Sequence, residues 1–481
     1  MTLAKNRIHS QLQACSSFIY ALTVIWLSLV LTGCSEQVKD TPVLTSQTEV
    51  IQYRINGEAA EWTVSPEVSP DRLVIECEAV MNNVVFTTGI DSVQFQIKEG
   101  DTARFHVLLN GDSALTEIVG IAKNVNFSDE YIQANKGTVS VTIPEVHELI
   151  YIVGAISDIG KIDTILIDHN TEYYQKVLAH FEPYKDHALI ALVNDNITAP
   201  MHEQSYLYFY GMKMNACGYL FSNDGSIVDD GIIHRMGFHF LKDPIKENKE
   251  LYEDFARTSG FRSFFEEHQD YYESLVGLYN DLIPIDDMNH WLESKFKMSY
   301  GSYKITFSPL TYGLHSTEQY EDNGFEQTVM YVRRPKMLEE HPYNVNEMLE
   351  SLVVFTEIDH GFANPFLEPY HKSIEEALSS QDLWVTRNDV NTIYSTSFDL
   401  FAEYFTWSLF SLYCLDQFDS TDYDIFEPMV TRQMVDRGFI RYGEFNSRLV
   451  ALYRENPDAD MTELTDKIIE WCAEVNNQDL D

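Results

Sequence analysis

The residues that follow position 48 alternate between apolar and polar side chains with the period of a β-strand. Val93–Ile97 and Arg104–Leu108 change polarity at nearly every step, and Thr138–Ile143 does the same. Turn-forming triplets such as Glu99-Gly100-Asp101 separate these runs. Since successive side chains of a strand point to opposite faces, this pattern is typical of strands with one buried face. The sequence therefore predicts a β-rich module over residues 49–143.

The period of the pattern changes to that of a helix at Pro144, a residue suited to the first helical turn. Apolar residues then recur at helical spacing, at Val146, Leu149, Ile150 and Val153. Long amphipathic segments alternate with short strands from here to the end of the chain. We therefore predict an α+β fold, in which residues 144–481 form a mainly helical domain with a short mixed sheet.

The N-terminal segment has the features of a secretory signal rather than of a folded element. Two bases, Lys5 and Arg7, precede an apolar run over 18–31, and small residues follow it. A transmembrane anchor is the alternative, but the run has about 14 residues, whereas a membrane-spanning helix needs roughly 20. We expect residues 1–33 to be removed and residues 34–48 to be a polar tether.

The end of this segment, Leu31-Thr32-Gly33-Cys34, resembles the lipobox of bacterial lipoproteins. In such proteins the cysteine becomes the first residue and carries lipid, palmitate included. The resemblance implies lipidation of Cys34 and a place in the bacterial cell envelope, bound to the bilayer through the acyl chains. Ser35 implies sorting to the outer membrane, if the cell has one.

The net charge of the chain limits the classes of partner that the protein can bind. The chain of 481 residues has 75 acidic and 33 basic side chains, a formal net charge of -42. A surface this negative repels phosphate backbones, so we expect no nucleic-acid partner.

Four cysteines remain beyond Cys34, and none of them has the CxxC spacing of a thiolate metal site. They are Cys77, Cys217, Cys414 and Cys472. Two arrangements are open: four buried single thiols, or one long-range disulfide.

The candidate chemistry starts from a predicted strand, Tyr303–Leu310, which ends at a Ser-Pro pair and leads to Tyr312 and His315. A second strand is expected over Gln327–Val332. A helix follows, with Asn344 as its N-cap and Glu347 three residues later. We expect it to run to about Ala363, where Asn364-Pro365 ends it.

This predicted helix contains Thr356-Glu357-Ile358-Asp359-His360. Zinc peptidases have His-Glu-x-x-His at this spacing, with two histidines on one helical face as ligands and the glutamate as general base. Here the base position and the second ligand are present. Threonine stands at the first ligand position, and its hydroxyl is a poor zinc ligand compared with imidazole.

A second apolar helix, predicted over Phe398–Leu412, carries Asp399 and Glu403 one turn apart. Acids on an apolar face need a partner or a metal, and Glu403 follows His360 by 43 residues. The alternative is a chance pairing, since Glu-x-x-His occurs in many ordinary helices. Two further groups are not expected to form a site. His147-Glu148 has no second histidine and lies on a helix predicted to be structural, and His234 and His239 are interpreted as unrelated histidines.

Several blocks of the chain resemble a family of bacterial proteins known as domain of unknown function 4932. Phe355–Pro365 is similar to its His-Glu-Phe-x-His-x-Phe-Val-Asn-Pro signature, and Ile143–Leu149, Phe261–Phe265, Ile305–Leu310 and Arg437–Ile440 fit further blocks in order. The resemblance covers roughly residues 90 to 475. That family looks like a set of gluzincin-type metallopeptidases, so a zincin-like arrangement is implied.

Carried over by position, the resemblance implies Glu357 as general base, and His360 and Glu403 as zinc ligands. Thr356 replaces the other histidine. Either another group completes the metal shell, with Asp359, His315 and Asp399 as candidates, or the site is empty. Tyr312 and His315 would line the cleft beside a strand that holds an extended peptide by β-augmentation.

Two functions therefore remain open. The first is a metallopeptidase-like protein with a degenerate site, which hydrolyses or binds peptides and uses zinc if it is active. The second is a non-catalytic peptide-binding or scaffold lipoprotein. In both, the partners are a peptide or protein and the lipid bilayer.

Overall fold

The structure is a computed structural model, and it describes residues 41–64, 70–77, 81–109, 111–122, 125–199, 203–233, 243–388, 391, 394–456 and 460–478. The predicted signal sequence, Cys34, His234 and His239 lie outside these residues. Among the helices of the described part, none is long and apolar enough to cross a bilayer.

The N-terminal part is a sandwich of two four-stranded sheets. Its strands are β1 (Val43–Ser46), β2 (Val50–Ile55), β3 (Glu58–Thr63), β4 (Asp71–Cys77), β5 (Asn82–Thr87), β6 (Ser92–Ile97), β7 (Thr102–Leu109) and β8 (Asp112–Ala122). The sheets have the orders β1-β7-β8-β4 and β3-β2-β5-β6. Alternating residues of both sheets, among them Trp62, Phe86 and Phe105, fill one apolar core. The predicted period-two pattern is therefore the pattern of a two-sheet sandwich.

The sandwich ends at β8, which corrects the predicted boundary at residue 143. Helix α1 (Asp129–Asn135) follows, and strand β9 (Val139–Thr142) then pairs in parallel with a strand more than 150 residues away, β12 (Ser302–Thr306). The alternation of residues 138–143 indicates a strand correctly, but it does not reveal which sheet the strand joins.

The mixed sheet of the helical part has the order β13-β14-β12-β9. Strands β9, β12 and β14 (Phe325–Tyr331) are parallel, and β13 (Ser316–Asp322) is an antiparallel edge strand. The predicted strands at 303–310 and 327–332 correspond to β12 and β14. A hairpin turn at Asn323-Gly324, where both residues have positive φ, joins β13 to β14.

Helices form the rest of the chain and confirm the predicted α+β class. They are α2 (Glu145–Ile156), α3 (Glu172–Phe181), α4 (Ala188–Asn196), α5 (Glu203–Asn215), α6 (Pro244–Glu247), α7 (Lys249–Ser259), α8 (Phe261–Glu267), α9 (Gln269–Leu282), α10 (Ile285–Phe296), α11 (Tyr343–Leu367), α12 (His371–Ala377), α13 (Ser397–Gln417), α14 (Ser420–Asp436), α15 (Tyr442–Glu455) and α16 (Met461–Gln478). A short hairpin of β10 (Tyr219–Phe221) and β11 (Ile227–Asp229) lies between α5 and α6. One large core surrounds α11 and α13, and a second surrounds α2.

Helix α11 departs from its predicted bounds at both ends. It begins at Tyr343 after Pro342, and the side chain of Asn344 donates to Asp422 at 2.8 Å instead of capping the helix. Pro365 lies inside the helix, where a proline cannot donate to the carbonyl four residues earlier. That carbonyl belongs to Gly361, and it accepts a hydrogen bond from the Tyr300 hydroxyl at 2.6 Å. Because the carbonyl is satisfied in this way, the helix continues to Leu367.

The four cysteines beyond Cys34 are free and buried, which confirms the first of the two arrangements expected for them.

Candidate functional site

Helix α11 approaches the edge strand β13 at Gly361. A side chain at this position would collide with the Gln319 amide, since a Cβ would lie 2.0 Å from its Nε2. Gln319 Nε2 donates to the Tyr300 hydroxyl at 3.0 Å, so this tyrosine links strand and helix. The close approach therefore places Gly361 of α11 against the edge strand.

Thr356 is turned to its own helix. Its hydroxyl lies 3.0 Å from the carbonyl oxygen of Leu352 and 3.3 Å from that of Val353. A threonine in a helix commonly donates in this way to a carbonyl three or four residues earlier. The residue at the first ligand position therefore has its hydroxyl bonded within the helix.

Glu357 and His360 lie one turn apart on α11. Burial raises the pKa of Glu357 to about 8 and the charge of Glu403 acts in the same direction, whereas Lys213 and Arg437 oppose the rise. Burial also lowers the pKa of His360, against the charge of Glu403. His360 Nε2 lies 4.0 Å from Glu403 Oε2. Helices α11 and α13 thus bring together the two residues predicted as ligands.

Asp359 and Asp399, the two acids proposed as additional ligands, occupy other environments. Asp359 is fully buried, and burial together with the charges of Glu403 and Glu357 raises its pKa far above the ordinary value. Asp399 forms a capping box at the start of α13: it accepts the Thr396 amide at 3.2 Å, while its own amide donates to the Thr396 hydroxyl. The expectation of Asp399 on the buried face is corrected, because its carboxylate closes the helix N-terminus.

Arg437 is the principal partner of Glu403. Its Nη2 donates to Glu403 Oε1 at 2.7 Å and to the Tyr394 hydroxyl at 3.2 Å. The guanidinium lies 4.8 Å from the ring centroid of Trp407 and 5.2 Å from that of Phe439. A planar guanidinium suits both contacts, since it stacks on rings and pairs with carboxylates. Glu403, only 3% exposed, is therefore engaged by a cation of the protein itself.

The turn after α14 holds Arg437 in place. Gly438 has φ +99°, a conformation that L side chains rarely adopt, and a Cβ there would lie 2.4 Å from the Thr386 carbonyl oxygen. The carbonyl of Arg437 accepts the side-chain amides of Asn388 and Asn391, at 3.1 and 2.9 Å. The Arg437-Gly438 pair is thus fixed by backbone geometry.

Lys213, at the end of α5, adds a second cation to the charge cluster around Glu357. It is fully buried, its ammonium donates to the Leu314 carbonyl, and it lies 4.5 Å from the ring centroid of Tyr210. Burial lowers its pKa to about 7, and the charge of Glu357 opposes the fall. Lys213 is not among the residues predicted for the site, although a single lysine within the aromatic run Tyr206–Met214 is a signal that the sequence contains.

His315 and Tyr312, predicted to line the cleft, differ in exposure. Burial lowers the pKa of His315 to about 3, helped by the charges of Arg333, Lys213 and Arg437, so its imidazole faces the same cations. Tyr312 is 44% exposed, and the ammonium of Lys336 lies 5.0 Å from its ring centroid. His315 therefore lies near the charges of Lys213 and Arg437, whereas Tyr312 lies at the surface.

The donor set does not fit a resident zinc ion. A catalytic zinc takes about three protein ligands, and within the described residues no group of three His, Cys, Asp or Glu side chains could hold a metal. His360 and Glu403 supply two donors. Thr356 bonds to its own helix, and Arg437 pairs with one of the Glu403 oxygens.

The second pair of a glutamate and a histidine, Glu148 and His147 on α2, is buried and hydrogen-bonded to other groups of the protein. Glu148 is fully buried and accepts the Tyr173 hydroxyl at 2.6 Å, and burial raises its pKa to about 8. His147 Nδ1 lies 2.7 Å from the Lys213 carbonyl oxygen.

Comparison with known proteins identifies no similar protein. No protein-family model, no curated protein and no solved structure matches the chain.

Proposed function

We propose that this protein is a lipid-anchored peptide-binding protein whose peptidase-like cleft does not hydrolyse its ligand. The observation that carries the proposal is the ion pair of 2.7 Å between Arg437 and Glu403. An arginine at this carboxylate supplies the positive charge that a metal would otherwise bring, but it does not activate a water molecule. Thr356 at the first ligand position supports the same conclusion.

The edge strand β13 supports an extended peptide as the ligand. In a hairpin closed by a two-residue turn, alternate residues of each strand bond across the pair. The register Asp322↔Phe325 leaves the backbone groups of Thr317, Gln319 and Glu321 directed away from β14. Among the described residues, no backbone group outside the sheet bonds to Thr317 or Glu321. A peptide added here would pass His315 and the His360 end of α11.

Binding of peptides with blocked backbones tests this mode. The probe is a fluorescein-labelled library of unstructured decapeptides, and the matched control carries N-methyl groups on alternate amides. We expect saturable binding by fluorescence anisotropy and a loss of about tenfold or more on methylation, because each backbone hydrogen bond is worth roughly 1 kcal/mol. Equal affinity of both libraries would exclude strand addition.

Hydrolysis is the second candidate, and the 4.0 Å separation of His360 Nε2 and Glu403 Oε2 favours it. A zinc held by these two residues would need a third ligand from outside the described part of the chain. Mass spectrometry of peptides incubated with the protein and zinc decides between the candidates. Cleavage that depends on zinc and disappears in Glu357→Gln would replace the binding proposal by the hydrolytic one.

The lipid anchor on Cys34 is tested separately. Cells that express the full chain are grown with an alkyne-tagged palmitate, and we expect label on the protein and its loss in Cys34→Ala. Label that persists in this variant would contradict the proposed anchor.

A further inference from the structure

A cavity of about 170 Å³ lies on the face of the mixed sheet that is covered by α1. Its floor is a row across three neighbouring strands, with Ser140 on β9, Lys304 on β12 and Val329 on β14. Residues of α1 and of the segment after β11, including Asp230 and Ile232, close it from above. None of these residues belongs to the charge cluster around Glu357, His360 and Glu403.

Two opposite charges line this cavity without forming an ion pair. The ammonium of Lys304 has no hydrogen-bond or ion-pair partner among the described residues. Asp230 Oδ1 accepts the amides of Ile232 and Ile233, at 2.8 and 3.2 Å, which fixes the carboxylate in the wall. A partly buried amine without a partner is costly, so a bound anion would stabilise it.

The remaining wall combines an apolar part, with Ile232, Ile233 and Val329, and polar side chains, those of Tyr131, Asn135 and Thr142. The hydroxyl of Ser140 lies beside Lys304 in the strand register. A ligand that satisfies all of these groups needs an anionic end, a cationic end and a compact aliphatic body. We propose that this cavity is a second binding site, independent of the peptide cleft, for a small zwitterion of the size of an aliphatic α-amino acid. Its carboxylate pairs with Lys304 and its ammonium with Asp230.

Three probes separate the two ends of the ligand: leucine, leucinamide, which has no carboxylate, and N-acetylleucine, which has no ammonium. We expect leucine to raise the melting temperature of the wild-type protein and to give a saturable calorimetric isotherm. Each truncated probe should bind about tenfold or more weakly, because a charge-assisted hydrogen bond is lost.

Variants of Lys304 and Asp230 show which of these two residues binds the carboxylate of the ligand and which binds its ammonium. In Lys304→Met, the partner of the carboxylate is gone, so leucine and leucinamide should bind equally weakly. In Asp230→Asn, the partner of the ammonium is gone, so leucine and N-acetylleucine should bind equally weakly. Lys372→Met, a change of a lysine that is 89% exposed on α12, serves as the control and should bind leucine like the wild type. Both wall variants keep nearly the shape of the original side chains, and circular dichroism verifies their folding.

Absence of leucine binding to the wild-type protein up to millimolar concentration would overturn the proposal. So would a preference for leucine over leucinamide that survives in Lys304→Met. Neither result bears on the binding of decapeptides at β13, so the two proposals fail separately.

Discussion

Helices α2 and α11 each carry a glutamate and a histidine side by side or one turn apart, yet they differ as sites. Burial raises the pKa of both Glu148 and Glu357 to about 8. The surroundings of Glu148 are hydroxyl groups, chiefly that of Tyr173 at 2.6 Å, which in turn lies 2.6 Å from the Tyr272 hydroxyl. Glu357 instead lies among charges contributed by other elements.

The comparison teaches that a shifted pKa is not by itself the mark of a functional site. Burial shifts both carboxyl groups alike, but only at α11 do charged side chains from three other elements converge, with Lys213 from α5, Glu403 from α13 and Arg437 from the end of α14. Convergence of charge from several elements, together with burial, distinguishes a candidate site from a packed polar group.

The largest expected effect is on stability. Glu148→Ala should lower the free energy of unfolding by about 3 kcal/mol, because it leaves a buried cavity and removes the acceptor of the Tyr173 hydroxyl, which keeps only its contact with Tyr272. Glu357→Ala, which removes an acid from a cluster that contains two others, should cost less than about 1 kcal/mol. Urea unfolding of the two variants measures the difference. Equal losses would mean that both glutamates are structural.

The second prediction concerns pH. The pKa of Glu148 is about 8 in the folded protein against an ordinary value of 4.5, so the folded state binds its proton more tightly. Its contribution is fully present below about pH 4.5 and is lost as pH rises through 8. The unfolding free energy of the wild type should therefore fall relative to that of Glu148→Gln, by at most about 1.4 kcal/mol per pH unit. Parallel curves between pH 5 and 8 would contradict this.

The third prediction isolates the effect of charge. In Lys213→Met the carboxyl of Glu357 loses a nearby cation that lowers its pKa, so its pKa should rise by up to about one unit. The pKa of Glu148, which lies outside the influence of that charge, should stay the same and serves as the internal control. Carbon-detected NMR titration of the carboxyl groups measures both. A common shift would indicate a general structural change.

The smallest effect is expected at the start of α13. Thr396→Ala removes half of the capping box and should cost about 1 kcal/mol of stability. Asp399→Asn should cost less, and neither change should alter the affinity for decapeptides. If Asp399→Asn alters the peptide affinity but not the stability, Asp399 takes part in peptide binding and is more than a helix cap.

The sequence predicts the local parts of this arrangement and not its long-range parts. Helical spacing places Glu357 and His360 one turn apart, and the apolar pattern around Glu403 predicts its burial, which is 3% exposure. The contact of Arg437 with Glu403 cannot be predicted from the sequence, since it depends on the turn at Gly438. Nothing local distinguishes such a turn from an ordinary helix end.

The same reason explains the errors at helix ends and in the sheet. Asn344 and Pro365 have the residue types of a cap and a terminator, but contacts with Asp422 and Tyr300, both distant in sequence, decide their roles. Strand β9 shows the alternation of its neighbours in sequence while its partner β12 is more than 150 residues away. Hydrophobic period identifies an element, and tertiary contacts assign its partner.

The four free thiols can be used to measure local opening of the folded protein. Cys77 lies in the sandwich, Cys217 beside the cavity, and Cys414 and Cys472 in the core around α13. A maleimide reagent reaches a buried thiol only when the surrounding structure opens, so the modification rate of each cysteine reports the opening of one region. The order in which the four react would show which part of the molecule yields first.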